Sequence, residues 1–210
     1  TAKSDVTITV KNAAGTPVVG ASVRIHNGQD QYGAAIAEQT FTTDDNGQVN
    51  KQLLYLGNQY HYYIEVTQVP YATNTETLSY NSMNNETYSK EITLQLAAPT
   101  GLAVGSDKLY PGQNLVVTWN EIAEAESYKV YVNGEEHGVA NTNEYTIVTP
   151  EYNVTNNNSN GDFVQVKAVY EGIGESPISS EYKYFKVTGY VSFTATVNVE
   201  GATIKLEGTD

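Results

Sequence analysis

Cysteine is absent from the 210 residues, so disulfide staples, thiolate zinc sites and cysteine nucleophiles are excluded, and stability has to come from apolar burial. Met and Trp occur once each and His three times, which leaves little material for amphipathic helices or for a rich metal site. Basic residues are also scarce: 11 Lys and Arg stand against 24 Asp and Glu, a net charge of −13. A chain this acidic has no electrostatic footprint for a phosphate backbone or an anionic membrane, so neither a nucleic acid nor membrane insertion is expected. Arg24 is the single arginine, which argues against an arginine clamp on phosphate or carboxylate. The longest apolar runs, such as Leu115-Val116-Val117, stop far short of the roughly 20 residues of a membrane helix. No charged-then-apolar leader opens the chain, and the expectation is a soluble protein, either leaderless or already processed.

What the chain does contain is strand and turn material. Charged residues are 17%, while Tyr and Gly number 17 each and Thr, Asn and Val are abundant, the residues of pleated strands and tight turns. Val6, Ile8 and Val10 alternate with polar residues, the period of a half-buried strand. A turn signal at Ala14-Gly15-Thr16-Pro17 follows, then a second alternating run over 21–26 that ends at Asn27-Gly28. Residues 40–43, the turn Asp44-Asp45-Asn46-Gly47 and the run 48–53 read as one hairpin. Residues 60–66 form a long aromatic strand, 70–86 are polar and strand-poor, and 91–96 close the unit. About seven short strands separated by turn signals is a sandwich pattern. An apolar-plus-proline joint at 97–101 precedes a second ladder: 102–104, 115–120 with Trp119 as core marker, 128–132 turning at Asn133-Gly134, 145–148 and 163–170. Residues 190–206 read as one hairpin, too short to bury a core alone and so an extension or the opening of a third module.

The second segment resembles a fibronectin type III domain. The resemblance rests on Pro99-Thr100-Gly101-Leu102 as its opening, Leu115-Val116-Val117-Thr118-Trp119 as its tryptophan strand, 127–134 as its third strand and hairpin, and Val164, Val166 and Ala168 before Gly174-Glu175-Ser176 and Ser179 as its last two strands. Asp162 falls where that family usually has a corner tyrosine, and 152–161 is an Asn-rich insertion. The first segment is similar to the prealbumin-like sandwiches of bacterial surface proteins, the collagen-adhesin B-type repeats and their carboxypeptidase-regulatory-like relatives, through residues 15–23 and the turn 43–49. Many such repeats carry a Lys–Asn isopeptide bond promoted by a Glu. Here the lysine position falls on Val10 with Lys11 one residue out, and the glutamate position on Val66 with Glu65 one residue out. No Asn sits in the closing strand 92–96, so the cross-link is expected to be absent. The hairpin 199–208 is faintly similar to a small surface-layer motif with Pro-Glu-Gly-Ala at its turn. The implied fold is all-β: two tandem Ig-like antiparallel β-sandwiches, 1–97 prealbumin-like and 98–188 fibronectin type III-like, with 189–210 a C-terminal β-hairpin that begins a third module.

Chemistry is thin on this scaffold. A nucleophilic triad needs a histidine base. His137 lies just past a turn where exposure is the default, while His26 and His61 lie on different strands of one sandwich and lack an assembled carboxylate. Asp44-Asp45-Asn46-Gly47 offers oxygen ligands without the spacing of a calcium loop, and an Asx-stabilised turn with Gly at positive φ is the favoured reading. Glu121, Glu124 and Glu126 read as a solvated connection, and calcium at the domain joint stays open. No catalytic residue, resident metal or cofactor is expected.

Tyrosine is the suggestive feature. By period 2, Tyr60, Tyr62 and Ile64 face one way and His61, Tyr63 and Glu65 the other. Loops add Tyr71, Tyr80 and Tyr88 with Asn74, Asn81, Asn84 and Asn85, and Tyr152 with the Asn-rich run 153–160. Tyr and Asn make adaptable binding loops, because a tyrosine contributes a large contact area at low entropic cost. Tyr63, Tyr71, Tyr80, Asn84, Asn85, Tyr88 and Tyr152 are therefore the candidate binding residues. The expected function is adhesion or display by a monomeric, non-enzymatic fragment of a secreted or wall-attached bacterial surface protein that contacts a host extracellular protein, with host immunoglobulin as the specific version. The alternative is a glycan-binding accessory module, or a spacer, of a large secreted glycoside hydrolase.

Overall fold

The computed structural model describes residues 3–27, 38–54, 61–79, 87–149 and 161–188, together with 196, 200 and 201. The chain is all-β over these residues. The first part holds β1 (Lys3–Asn12), β2 (Ser22–Asn27), β3 (Gln39–Thr42), β4 (Gln48–Leu54), β5 (His61–Thr67), β6 (Asn74–Ser79) and β7 (Thr87–Leu94). Two sheets form, in the orders β4-β1-β7 and β3-β2-β5-β6. Strict alternation gives each an apolar inner face, with Val6, Ile8, Val10, Val23, Ile25, Tyr62, Ile64, Val66, Ile92 and Leu94 buried in one cluster. Each such side chain contributes about 1.5–3 kcal/mol relative to exposure. Tyr62 and Ile64 take the core side and Tyr63 and Glu65 the outer side, as period 2 requires. Val10 and Val66 are buried, while Lys11 and Glu65 face outward, ion-paired with Glu91 and Arg24.

Two strand readings change. Residues 40–53 do not form a hairpin: β3 pairs with β2 and β4 pairs with β1, so the turn after Thr43 carries the chain from one sheet to the other. Thr43 holds this crossing from inside. Its buried hydroxyl donates to the Val18 carbonyl at 2.7 Å and accepts from the Ala21 N–H at 2.8 Å. Alternation reports which face of a strand is buried, and it carries no information on which layer the strand joins. Residues 70–86 also contain a strand, β6, hydrogen-bonded along β5 from His61↔Ser79 to Val66↔Asn74. Its Leu78 is fully buried, but Asn74 and Glu76 occupy the other inward positions at the sheet edge, so the segment lacks the apolar period that marks a strand.

The second part holds β8 (Ala103–Val104), β9 (Lys108–Leu109), β10 (Asn114–Thr118), β11 (Ser127–Val132), β12 (Glu135–Ala140), β13 (Glu144–Val148), β14 (Asp162–Tyr170), β15 (Gly174–Glu175) and β16 (Lys183–Val187). Its sheets run β13-β10-β8 and β12-β11-β14-β16-β9, with β15 also on β14. Pairing is antiparallel except in two ladders, β1 with β7 and β9 with β16, which are parallel. Trp119 is 3% exposed and meets Tyr128 edge-on at 5.1 Å, at the centre of a core that includes Leu115, Val117, Val130, Val166 and Phe185. The β11–β12 hairpin turns on Asn133 and Gly134, both at positive φ (53° and 84°), the geometry of a type I′ turn. Asp162, at the expected corner, is used locally: its carboxylate accepts from the Asn133 side-chain amide N–H at 2.7 Å, and the Asn133 side-chain Oδ1 accepts from the Phe163 N–H. Where β15 and β16 leave β14 short of partners, the Ser176 and Ser179 hydroxyls accept from the Ala168 and Val166 N–H groups.

The two cores share no residue; one runs from Val6 to Leu94 and the other from Leu102 to Val187. Between them the joint is tied. Ala97 N–H donates to the Pro70 carbonyl, Leu96 packs on the second core, and the buried Tyr170 hydroxyl donates to the Ala97 carbonyl at 2.6 Å. Burial and, to a smaller degree, the neighbouring Tyr128 push the Tyr170 phenol up to about 12, so it keeps the proton that it donates. The expected C-terminal hairpin lies outside the described residues apart from 196, 200 and 201.

Candidate functional site

Of the seven candidate residues, Tyr80, Asn84, Asn85 and Tyr152 lie outside the described residues. The other three are in different places: Tyr63 on an outer sheet face, Tyr71 at the joint and Tyr88 against the core. Tyr63 sits on the outer face of β5, directly opposite His26 of β2, and the two rings stack at 5.6 Å with a 27° interplanar angle. Beside them Arg24 lies between Glu65 and Glu38, 3.2 Å from each. His26 therefore has Tyr63, not His61, as its cross-strand neighbour; His61 pairs with Ser79 on the other side of β5. Tyr71 is half-buried, packs on the first core and bridges Leu96 at the joint. It lines a small cleft of about 150 Å³ with Ala14, Leu94 and, from the second unit, Ile173 and Glu175. Tyr88 is in β7, on the inward side with Ile92 and Leu94, and packs on the first core. One turn of the pleat further on, Lys90 reaches Glu76 of β6 at 3.1 Å. Tyr71 and Tyr88 are both partly buried against the first core, and for Tyr88 the reason is the inward register of β7, which loop composition does not reveal.

The acidic turn uses its own ligand atoms. The Asp44 carboxylate accepts from the Asn46 and Gln48 N–H groups at 2.9 and 2.8 Å, closing an Asx turn, and Gly47 sits at φ 70°. Glu121, Glu124 and Glu126 are exposed. Among the described residues no three His, Asp or Glu side chains are grouped to hold a metal ion. His137 is exposed with its Nδ1 3.2 Å from the Tyr145 hydroxyl.

A surface not singled out from the sequence lies on the outer face of the larger second sheet. Phe163 of β14 stands opposite Tyr184 of β16, and with Tyr182 the three rings meet edge to face at 6.1, 6.1 and 5.3 Å. Tyr182 is 52% exposed and Tyr184 38%. The signal was present in Glu181-Tyr182-Lys183-Tyr184-Phe185-Lys186-Val187, where period 2 separates two outward tyrosines from an inward Phe and Val. Farther along the face Lys129 and Lys167 stand directly opposite each other, a repulsive pairing. The fold compensates it: Lys129 reaches Glu175 at 2.7 Å and Glu136 at 3.2 Å, and Lys167 reaches Glu175 at 3.3 Å. Hydrogen bonds to Glu175 and then to Glu136 raise the Lys129 ammonium above its ordinary value. The Lys129 hydrogen bond, and secondarily that of Lys167, hold the Glu175 carboxyl below its usual range.

A carboxyl held low in the folded state stabilises the protein above its unfolded value and loses that contribution as pH falls through the folded one. Glu175→Gln is accordingly expected to lower the unfolding midpoint by about 2 °C at neutral pH and low salt, and by less once acid has protonated the parent. Thermal melts of both proteins at pH 7 and pH 3 check this; an equal gap at the two values would show that the ionised carboxylate is not the source.

No family model and no curated protein matches the chain. Solved structures similar to it include BcpA, the major pilin subunit of Bacillus cereus, at 12% identity over 90% of this chain and 69% of that one, with a TM-score of 0.35. A Streptococcal ancillary pilin is similar at 13% identity over 89% of this chain and 61% of that one, with a TM-score of 0.34. An Fn3-like protein from Clostridium thermocellum is similar at 24% identity over 46% of this chain and 97% of that one, with a TM-score of 0.28.

Proposed function

We propose that the chain is a non-catalytic binding and display module of a secreted or wall-attached bacterial surface protein, and that its tyrosine- and asparagine-rich loops together with Tyr63 contact a host extracellular protein, immunoglobulin being the specific version. The observation that carries this reading is the outward His26–Tyr63 pair, two aromatic rings on neighbouring strands that stack on each other and so fix both side chains. Aromatic groups fixed in this way are the anchors of protein interfaces, since little rotamer freedom is lost on contact. The tied joint supports the display half of the reading, because it sets the direction in which the second sandwich leaves the first. In this reading Tyr63, Tyr80, Asn84, Asn85 and Tyr152 make the contact, while Tyr71 and Tyr88 support it from the core side.

The test immobilises the full chain against serum, mucosal secretions and purified immunoglobulin, beside a variant carrying Tyr63→Ser, Tyr80→Ser and Tyr152→Ser. The tyrosines at 71 and 88 stay in place because removing them would disturb packing. Immunoglobulin capture that falls at least about tenfold in the variant, with the unfolding midpoint unchanged, is the expected result. Capture of nothing, or capture indifferent to the three substitutions, would overturn it.

A further inference from the structure

We propose that the outer face of β14, β16 and β9 is a second docking surface, independent of the first sandwich, whose occupant is an acidic polypeptide segment with aliphatic side chains between its carboxylates. Two features of the face meet at β16. On one side is the aromatic group Phe163, Tyr182 and Tyr184. On the other side the same strand places Lys186 outward, two residues on from Tyr184, and the parallel ladder sets Lys108 of β9 directly opposite it. Leu109 and Val187, the next pair, are buried, which fixes both lysines on the outer face.

Like charges directly opposite across a ladder repel. The sheet contains this arrangement twice, and the two cases are handled differently. Lys129 and Lys167 are neutralised from within by Glu136 and Glu175. Among the described residues no carboxylate is within ion-pair distance of Lys108 or Lys186, nor of Lys183, which is exposed at the start of β16. In a chain with 24 acidic residues and 11 basic ones, two open lysines opposite each other at one sheet edge, with Lys183 exposed on the alternate register of the same strand, are a local concentration of positive charge. A carboxylate brought between Lys108 and Lys186 converts a repulsive pair into two attractive ones. The net charge of −13 opposes an anionic partner at long range. That field is screened beyond roughly 8 Å at physiological salt, so recognition is a contact-range effect.

The rings choose the class of anion. A sugar platform presents ring faces in a common plane, whereas here the interplanar angles are 63°, 74° and 78°. Edge-to-face rings leave notches with apolar walls, which suit a branched aliphatic side chain, and the tyrosine hydroxyls at their rims suit a peptide backbone. An acidic and aliphatic segment meets both halves of the face at once.

The experiment uses the full 210-residue chain and fluorescence anisotropy of a labelled synthetic peptide that alternates Glu and Leu. A Lys and Leu peptide of the same pattern and polygalacturonate serve as the competing chemistries. The acidic peptide is expected to bind in preference to both, with affinity that falls as salt is raised. Lys108→Gln with Lys186→Gln should weaken it at least about tenfold, Tyr182→Ser with Tyr184→Ser by a similar factor, and the remote Lys51→Gln by less than about twofold. The lysine variant should unfold at or above the parent's midpoint, because a repulsive pair has been removed, so its loss of binding is not a loss of fold. Absence of peptide binding, binding indifferent to the lysines, preference for polygalacturonate, or lysine-dependent self-association in sedimentation would each overturn the proposal.

Discussion

Gly47→Ala is expected to destabilise the first sandwich by about 3 kcal/mol or more, read from chemical denaturation. Two costs add at this position. The backbone is left-handed, φ 70°, which costs an L side chain roughly 1–2 kcal/mol. A Cβ would also lie 2.5 Å from the Val10 carbonyl oxygen and 3.1 Å from the Val18 nitrogen. Both are main-chain atoms of the crossing: Val18 N–H donates to the Val10 carbonyl and Val10 N–H donates to the Gly47 carbonyl. Neither can withdraw as a flexible side chain would. Gly20→Ala separates the two costs, since Gly20 has φ 78° and nothing within 4 Å of its would-be Cβ. It should lose only the conformational part, about 1 kcal/mol. Equal losses at the two positions would show that the crossing yields without cost.

Trp119→Ala is expected to lower the stability of the second sandwich by about 3–5 kcal/mol and to leave the transition of the first in place. The indole is 3% exposed and its contacts, Tyr128 foremost, belong to the second core alone. Among the described residues its buried N–H meets no acceptor, and a buried donor of this kind offsets part of what the ring contributes. Trp119→Phe, which removes that N–H and keeps most of the ring, should therefore cost clearly less. Calorimetry reads both units at once. A first transition displaced as far as the second would show that the joint makes one cooperative block of the two cores.

Strand faces were legible in the sequence wherever apolar residues alternate. Val6, Ile8 and Val10, Tyr62, Ile64 and Val66, and Val164, Val166 and Ala168 are all buried where period 2 placed them. Asn133-Gly134 announced its hairpin, and Asp44 its Asx turn. What was not legible depends on partners distant in the chain. β4 joins its sheet by pairing with β1, far back in the chain, at a crossing where the Thr43 hydroxyl bridges Val18 and Ala21, and β6 adds to the open edge of β5 although its inward Asn74 and Glu76 break the pattern. The candidate site shows the same division. Tyrosine density pointed to Tyr63, Tyr71 and Tyr88, but only cross-strand register separates the outward Tyr63 from the other two, which pack on the core. The aromatic and lysine face was in reach of alternation along 181–187, yet its meaning depends on Phe163 and Lys108, brought alongside by pairing across the chain.

The parallel ladders have a mechanical consequence. In each sandwich a strand near its start runs alongside its last strand in the same direction: β1 with β7, and β9 with β16. Tension on the chain ends pulls such a pair in opposite senses along the strand axis. The interstrand bonds are then loaded in shear and must fail together, whereas pulling across a hairpin opens them one at a time. The first unit sets eight residue pairs in this arrangement, Asp5↔Thr87 to Asn12↔Leu94, and the second only two. Under load the second sandwich is therefore expected to yield at the lower force, extending the chain while the first stays folded, an order that single-molecule pulling reads directly.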